Sequence, residues 1–580
     1  MKQNRTLALV LFTLISCGGG GGGGSSSPPV ISQTPTPPTP PPSLSFDELK
    51  TQYEGYYEYQ NQWGLDMVNA SDAYARGATG SGIVIGITDS GIDVEHPEID
   101  AQRISSNSAT CNNGDTCFVG NYQPNTYDLR HGTYVAAVAA GGLNTSSSNG
   151  MHGVAFDAEI LFVAINLGPP PDDYDPIDIG TDDGSGNVTN APDFTGIDNF
   201  FSQLFEIYND FNADVVNNSY GYSGNINDFT EAQVRYAFPN TIEVMSQIGV
   251  PDTEKTIYVW AAGNAGGYAD QGVDFSSPEI LPGMGYYIPE ISGHSIAVVS
   301  VDENGQISSF SNRCGVSQDY CIAAPGSDIT VPYPTSTSDT GIFIGNTNDD
   351  NYNNCITDNS CYAIGASGTS FAAPFVSGGL AVIADHFEGQ LGSQEIVSRL
   401  FSTANKKGIY ADKAIYGQGL MDLNAATEPV GQVSAMMSLS LSGPMTPAIF
   451  SNIQLTSPSF GDAITNGIGN HSVIFFDALD APFRRSLSSL VSDYRNQIIN
   501  MDGFGSIQNP ISHSVITNES EFEIGGLSIE NLSGELVTPH HLLNAKADKN
   551  QFFSYYNYSN DSFLSHGLNG SWAMGIFQDS

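Results

Sequence analysis

The sequence predicts an α/β fold: a mostly parallel sheet with helices on both faces, followed by a smaller, β-rich C-terminal region. Continuous apolar runs of strand length recur along most of the chain. Helical stretches separate these runs, as expected for a parallel sheet that is covered on both faces. After about Glu428 the texture changes, because serine, asparagine and glycine become frequent and the helical periodicity weakens.

The N-terminus predicts an exported protein. Lys2 and Arg5 precede an apolar run over 7–15, which is too short to span a bilayer and is typical of a secretory signal. The following segment, LISC, resembles the lipobox of bacterial lipoproteins, in which Cys17 would carry a lipid anchor to the membrane. An ordinary signal with an incidental cysteine is the alternative. We predict a lipoprotein signal peptide over 1–17 and a flexible Gly/Ser/Pro-rich linker over 18–45.

Five apolar runs between the linker and Glu428 predict strands. They are 82–91 (GIVIGITDSG), 158–166 (AEILFVAIN), 213–221 (ADVVNNSYG), 256–264 (TIYVWAAGN) and 295–302 (SIAVVSVD). Two segments predict helices: the small-residue stretch 131–142 (HGTYVAAVAAGG) and the amphipathic stretch 394–408 (QEIVSRLFSTANKKG). Polar residues follow several of the strands, and ligands of such sheets bind beyond the carboxyl ends of the strands.

The charge balance excludes two classes of partner. The 580 residues contain 62 Asp+Glu and 18 Lys+Arg, which gives a net charge of −44. Nucleic acid and anionic lipid surfaces would repel such a chain. The same field favours basic or extended segments of a protein substrate. The sequence carries no signal for the oligomeric state.

Six cysteines besides Cys17 form three closely spaced couples. In an oxidising compartment these couples predict three local disulfides, Cys111–Cys117, Cys314–Cys321 and Cys355–Cys361. Their spacing is not C-x-x-C and no histidine accompanies them, which disfavours a metal site. The acidic insertion over 168–198 is either a solvated loop or a structural calcium site, although its spacing does not match an EF-hand loop.

Four residues supply the parts of a nucleophilic catalyst. A serine hydroxyl needs an imidazole to take its proton and a carboxylate to orient that imidazole, and the transition state needs a donor for its oxyanion. Asp89 ends the first predicted strand, His131 opens a helix, Asn264 ends a strand and Ser370 opens an alanine-rich helix. No cofactor is required for this chemistry.

The segments around these residues resemble the hallmark segments of the subtilisin-like serine proteases. They are ITDSGID, HGTYVA, VVNNSYG, AAGN and GTSFAAP, and the resemblance runs from about Trp63 to Ala426. It implies a peptidase domain over 46–428, with Asp89 as the orienting carboxylate, His131 as the acid/base and Ser370 as the nucleophile. It also implies that the oxyanion hole consists of the Asn264 side chain and the Ser370 backbone N–H, which lies at a helix start.

The same resemblance implies two edges that bind the substrate backbone as an added strand. One edge consists of Asn218, Ser219, Tyr220 and Gly221, and the other of Ala261, Ala262 and Gly263. Tyr220 either narrows the pocket for the residue before the scissile bond or is a packed core tyrosine.

The lipobox, the linker and the region 429–580 together resemble the lipidated autotransporter-type subtilases of Gram-negative bacteria. That resemblance implies a location at the outer membrane or cell surface. The region 429–580 is either a linker with the start of a truncated β-barrel or a region of another kind. The sequence thus predicts an exported, surface-tethered serine endopeptidase acting on proteins or peptides; a catalytically inactive adhesin or scaffold is the alternative.

Overall fold

The computed structural model of the chain describes residues 44–112, 116–123, 128–147, 150–167, 173–251, 254–334 and 362–437. Beyond them it describes the segments 446–449, 455–456, 472–486, 491–492, 508–516, 521–530, 536–547, 550–557 and 562–567.

A mostly parallel sheet forms the centre of the fold, as the sequence predicts. Its strands are β1 (Val84–Asp89), β2 (Ala109–Asn112), β3 (Thr116–Val119), β4 (Glu159–Ala164), β5 (Val215–Asn218), β6 (Ile257–Ala261), β7 (Ser295–Val301) and β8 (Cys321–Pro325). The spatial order is β8-β7-β6-β5-β1-β4-β2-β3. Neighbouring strands are parallel, except that β2 and β3 are antiparallel. The connection that leaves β1 runs toward β2 and the connection that leaves β5 runs toward β6, so the carboxyl ends of these two neighbouring strands form a switch point, where ligands bind in such folds.

Helices cover both faces of the sheet. They are α1 (Phe46–Glu54), α2 (Tyr57–Asn61), α3 (Trp63–Met67), α4 (Ala70–Ala75), α5 (Leu129–Ala140), α6 (Thr195–Asp210), α7 (Glu231–Ala237), α8 (Pro239–Ser246), α9 (Ile280–Gly283), α10 (Thr369–His386), α11 (Ser393–Thr403), α12 (Lys413–Tyr416) and α13 (Leu423–Thr427). Among the described residues, no helix has the length and apolar character that crossing a membrane requires.

Alternating residues of the strands enter two different cores. Ile257 and Val259 of β6 lie in the core that contains α5 and α10, whereas Tyr258 and Trp260 lie in the core that contains α6. This alternation follows from the two-residue period of a strand. Because both faces are buried, the strands read as continuous apolar runs.

The helix that begins at Thr369 contains a proline, and the carbonyl that loses its helical hydrogen bond there accepts one from another segment. Pro374 is the sixth residue of α10 and lies inside the helix. Proline cannot donate to the carbonyl four residues earlier, which is that of Ser370. That carbonyl instead accepts a hydrogen bond from Ser219 Oγ at 2.8 Å.

A hairpin beyond Glu428 packs on the core that contains α10. Its strands are β13 (Ser472–Phe476) and β14 (Pro482–Ser486), and they follow β9 (Ile329–Pro332), β10 (Tyr362–Ala366), β11 (Ser434–Met437) and β12 (Thr446–Ile449). Phe475 and Phe483 are buried in the same core cluster as the residues of α10. Side chains from beyond Glu428 therefore contribute to the hydrophobic core of the region that precedes it. The domain boundaries 46–428 and 429–580 stay predictions.

Arg399 and Asp477 form a buried ion pair between α11 and this hairpin. Arg399 Nη1 donates to Asp477 Oδ2 at 2.8 Å, and the two side chains are 1% and 0% exposed. The guanidinium also donates to the carbonyls of Ala426 and Glu428 and lies over the rings of Phe387 and Phe483. Asp477 in turn accepts hydrogen bonds from the backbone N–H groups of Val430, Leu479 and Ala481.

The C-terminal segments are strands, which agrees with the β-rich character predicted for that region. Five of them pair in sequence order as an antiparallel sheet: β15 (Gln508–Ile516), β16 (Glu521–Glu530), β17 (Leu536–Ala547), β18 (Asn550–Asn557) and β19 (Ser562–Gly567).

Candidate active site

The side chains predicted to carry the chemistry lie at the ends of parallel strands and the beginnings of two helices. Because the strands are parallel, their carboxyl ends share one edge of the sheet. Asp89 is the last residue of β1, Asn264 follows β6, His131 is in the first turn of α5 and Ser370 is in the first turn of α10.

Asp89 orients the imidazole of His131. His131 Nδ1 lies 2.8 Å from Asp89 Oδ1 and 2.9 Å from Oδ2. The carboxylate is fully buried, whereas the imidazole is 35% exposed. Asp89 Oδ1 also accepts a hydrogen bond from Ser90 N at 2.7 Å, which helps to fix the carboxylate.

The pKa of His131 is raised from its ordinary value of 6.5. Burial alone would lower it, but the charge of Asp89, the hydrogen bond to Asp89 and the charge of Asp128 together outweigh burial. The imidazolium that forms when His131 acts as a base and takes up a proton is therefore stabilised at this position.

Ser370 makes a reciprocal contact with Ser219. Its hydroxyl donates to the carbonyl of Ser219 at 3.3 Å, while Ser219 Oγ donates to the carbonyl of Ser370 at 2.8 Å. In the part of the chain that the structure describes, the Ser370 hydroxyl thus donates to this carbonyl and not to His131. Hydrogen bonds of a catalytic site are often loose before substrate binds. Rotation about the Cα–Cβ bond of Ser370 redirects its hydroxyl.

Asn264 is held so that its amide nitrogen is left for the cleft. Its Oδ1 accepts hydrogen bonds from Thr369 N at 2.9 Å and from Thr369 Oγ1 at 3.1 Å. A Cβ added at Gly368 would lie 3.7 Å from both Asn264 Nδ2 and Ser370 N. The two predicted oxyanion donors are therefore close to one point, and Gly368 leaves that point open.

These side chains line one cleft of about 660 Å³. His131, Ser219, Tyr220, Asn264 and Ser370 belong to its wall. The cleft combines a predicted nucleophile, a predicted base and a predicted oxyanion donor, which is the arrangement that acyl transfer requires.

Comparison with known proteins identifies the family. The sequence model of the subtilase family matches residues 80–419, which is more than half of the chain. The chain belongs to the subtilase family.

Relatives of this subtilase include an extracellular serine protease, a subtilisin and an antigen. It is 29% identical over 386 residues to an "Extracellular serine protease" of Serratia marcescens, covering 64% of this chain and 34% of the relative. It is 25% identical over 366 residues to "Subtilisin DY" of Bacillus licheniformis, covering 63% of this chain and 98% of the relative. A "Serotype-specific antigen 1" of Mannheimia haemolytica is 30% identical over 171 residues, which cover 30% of this chain and 16% of the antigen. The match thus spans about a third of the Serratia protein.

Solved structures of similar fold include the protease MycP1 from the ESX-1 type VII secretion system. It is 20% identical, with a TM-score of 0.40, and the match covers 63% of this chain and 86% of MycP1.

Tyr220 of the subtilase is a packed tyrosine that also reaches the cleft. Its ring stacks parallel to Phe201 with centroids 6.0 Å apart and meets Trp260 edge-on at 5.9 Å. Its hydroxyl donates to Asn218 Oδ1 at 3.0 Å. These contacts are those expected of a packed core tyrosine. A role of Tyr220 in selecting substrates stays a prediction.

Two of the three predicted disulfides are present. Cys111–Cys117 joins β2 to β3, and Cys314–Cys321 joins the segment before β8 to the first residue of that strand. Cys355 and Cys361 lie outside the described residues, as does Cys17.

The described part of the acidic insertion does not gather metal ligands. No group of three or more His, Cys, Asp or Glu side chains suited to a metal ion occurs among the described residues. Asp178, Asp182 and Asp183 instead accept hydrogen bonds from nearby backbone N–H groups. These carboxylates therefore stabilise turns of a polar loop, and a structural calcium site stays a prediction.

One side chain of the site was not singled out by the sequence. Glu279 lies between the two predicted substrate-binding edges, next to Gly221 on one side and Gly263 on the other. It stands in SSPEILPG, which matches no catalytic motif, and the chain has 62 acidic residues. Only the approach of the two edges in three dimensions reveals this carboxylate.

Proposed function

We propose that this subtilase is a serine endopeptidase that hydrolyses peptide bonds of proteins through an acyl-enzyme intermediate. The observation that carries the proposal is the contact of His131 Nδ1 with both oxygens of buried Asp89, in the same cleft as Ser370 and Asn264. That contact fixes which ring nitrogen faces the cleft, so the other nitrogen is the one available to the serine.

The reaction begins when the Ser370 hydroxyl leaves the Ser219 carbonyl and turns to the imidazole. His131 takes its proton while Oγ attacks the scissile carbonyl carbon. The oxyanion that forms accepts hydrogen bonds from Asn264 Nδ2 and Ser370 N. His131 then gives the proton to the leaving amine, and a water molecule, deprotonated by the same imidazole, releases the acyl group.

Thr369 positions the oxyanion donor. Its backbone N–H and its hydroxyl both donate to Asn264 Oδ1, so the amide cannot turn its oxygen toward the cleft without losing two hydrogen bonds. A fixed donor needs no reorganisation when charge develops on the substrate, and this is why such donors accelerate reactions.

A serine-directed fluorophosphonate probe tests the proposal. The wild-type protein should be labelled at Ser370 and should cleave denatured casein. Ser370→Ala should lose both the label and the cleavage, and Asp89→Asn should lower kcat by roughly 10⁴-fold, because it leaves the imidazole in the wrong tautomer. Folded wild-type protein that takes no label and cleaves no casein would instead support the inactive scaffold.

The location is part of the same proposal: the protease is exported and tethered at the cell surface through a lipid on Cys17. The apolar run over 7–15 and the Gly/Ser/Pro-rich linker over 18–45 support it. So do the two relatives named as an extracellular protease and an antigen.

Mass spectrometry of the mature N-terminus tests the anchor. We expect an acylated Cys17 at the first position and activity in the membrane fraction. Cys17→Ser should move the activity to the soluble fraction. An unmodified N-terminus located elsewhere would contradict the lipoprotein assignment.

A further inference from the structure

Glu279 occupies the gap between the two edges that are proposed to hold the substrate backbone. A Cβ added at Gly263 would lie 2.5 Å from Glu279 Cδ and 2.9 Å from Oε1, and one added at Gly221 would lie 3.5 Å from Oε2. The carboxylate therefore lies against Gly263 and near Gly221. The backbone of Glu279 is fixed as well, because its N–H donates to the carbonyl of Ala262 at 2.9 Å.

The carboxylate of Glu279 has no partner among the residues that the structure describes. It makes neither a hydrogen bond nor an ion pair there, and the residue is partly buried. Burial raises its pKa to about 8. A charge in such a place is costly unless an opposite charge joins it. The gap is thus suited to a ligand that supplies a cation.

The geometry of the gap selects the shape of that ligand. Gly221 and Gly263 contribute no side chains, so the walls near the carboxylate consist of backbone. Gly263 has a φ of +113°, and a side chain there would collide with Glu279 as well as strain the backbone. Lysine and arginine carry their cation at the end of a long, thin and largely apolar stem, which is the shape that walls without side chains accommodate.

We propose that Glu279 selects substrates that carry lysine or arginine immediately before the scissile bond. This inference rests on the proposed function, since it assumes that a peptide backbone lies along both edges with its carbonyl carbon at Ser370. The side chain of that residue then enters the gap and its cation meets the carboxylate. A cation there would form a charge-assisted hydrogen bond, which none of the residues that the structure describes supplies.

Matched peptides that differ only at the residue before the scissile bond test the specificity. We expect wild-type kcat/KM to be about 10- to 100-fold higher for arginine or lysine than for norleucine, the range for a hydrogen bond to a charged group. Glu279→Gln should abolish that preference, so that the arginine, lysine and norleucine peptides are cleaved with similar kcat/KM. Glu279→Asp should restore part of the preference, more for arginine than for the shorter lysine.

The net charge of the protein requires a control, because a field of −44 attracts basic peptides wherever they bind. Glu303 is exposed and lies outside the cleft, so Glu303→Gln removes the same charge at a distance. That variant should keep the full preference for arginine. An equal loss in Glu303→Gln and Glu279→Gln would mean that long-range attraction alone selects the substrate, and it would overturn the proposal.

Binding to the Ser370→Ala variant separates this inference from the proposed function. Calorimetry would compare peptides that end in arginine and in norleucine, which represent cleavage products. Tighter binding of the arginine peptide, lost in Ser370→Ala/Glu279→Gln, supports the role of Glu279 even if the wild-type protein cleaves nothing. Efficient fluorophosphonate labelling and casein cleavage with no preference for basic residues would overturn the role of Glu279 and leave the endopeptidase intact.

Discussion

Replacing Asp477 by alanine should leave a buried charge without its counterion. Arg399 would keep its hydrogen bonds to two backbone carbonyls and its contacts with Phe387 and Phe483, but it would lose the carboxylate 2.8 Å away. Removing one partner of a buried pair costs about 3–5 kcal/mol. Since a folded domain is stable by only about 5–15 kcal/mol, this is a large fraction of the total.

The hairpin 472–486 sets an upper limit to the measured loss. Asp477 also accepts three backbone hydrogen bonds, and each is worth about 1 kcal/mol. If the combined loss exceeds the free energy that docks the hairpin, the hairpin will separate and water will solvate Arg399. We therefore expect a loss of about 6–8 kcal/mol in the unfolding free energy, or a smaller loss accompanied by exposure of the hairpin.

Urea unfolding measures the loss of unfolding free energy, and limited proteolysis measures exposure of the hairpin. Both are done in Ser370→Ala protein, in which self-cleavage is blocked. The double variant Asp477→Ala/Arg399→Met should lose less than the sum of the two single variants, by about 2 kcal/mol or more, because no unpaired charge remains. An Asp477→Ala protein with unchanged unfolding free energy and no new cleavage between 472 and 486 would refute this account of the pair.

Two further predictions concern the site. Asn264→Ala should lower kcat by about 10²- to 10³-fold with little change in KM, because the amide acts on charge that exists only in the transition state; an unchanged kcat would exclude an oxyanion role. The raised pKa of His131 predicts that kcat/KM, measured with a neutral residue before the scissile bond, falls on acidification at a pH above 6.5, and that Asp89→Asn moves this fall to lower pH. The same shift makes protonated His131 stabilise the fold below pH 6.5, and this stabilisation is lost as the pH rises through the folded-state pKa.

The sequence predicted five strands of the central sheet and the four candidate catalytic residues that follow strands or begin helices. The five apolar runs coincide with β1, β4, β5, β6 and β7, because a strand buried on both faces has to be apolar throughout. Asp89, His131, Asn264 and Ser370 were predicted from short local motifs, and the structure places the last three along one cleft, with Asp89 buried against His131. The acid–imidazole contact is present in it, whereas the roles assigned to these residues stay predictions.

Features that depend on distant segments could not be predicted. The hydrogen bond of Ser370 to Ser219 joins residues 151 positions apart, and neither motif specifies it. Glu279 could be linked to the site only after the structure placed Gly221 and Gly263 beside it. The composition change at Glu428 suggested a boundary, yet Phe475 and Phe483 return to the earlier core, since a hairpin with two buried rings leaves little trace in the average composition.

The Arg399–Asp477 pair also has a consequence for the order in which the polypeptide is made. A ribosome releases the guanidinium well before the carboxylate, so during that interval the side chain of Arg399 has to remain hydrated. The packing around α11 is therefore completed late in synthesis. A gene shortened to residues 80–419, the stretch that matches the family, would encode Arg399 without Asp477, so its guanidinium would lack the buried counterion.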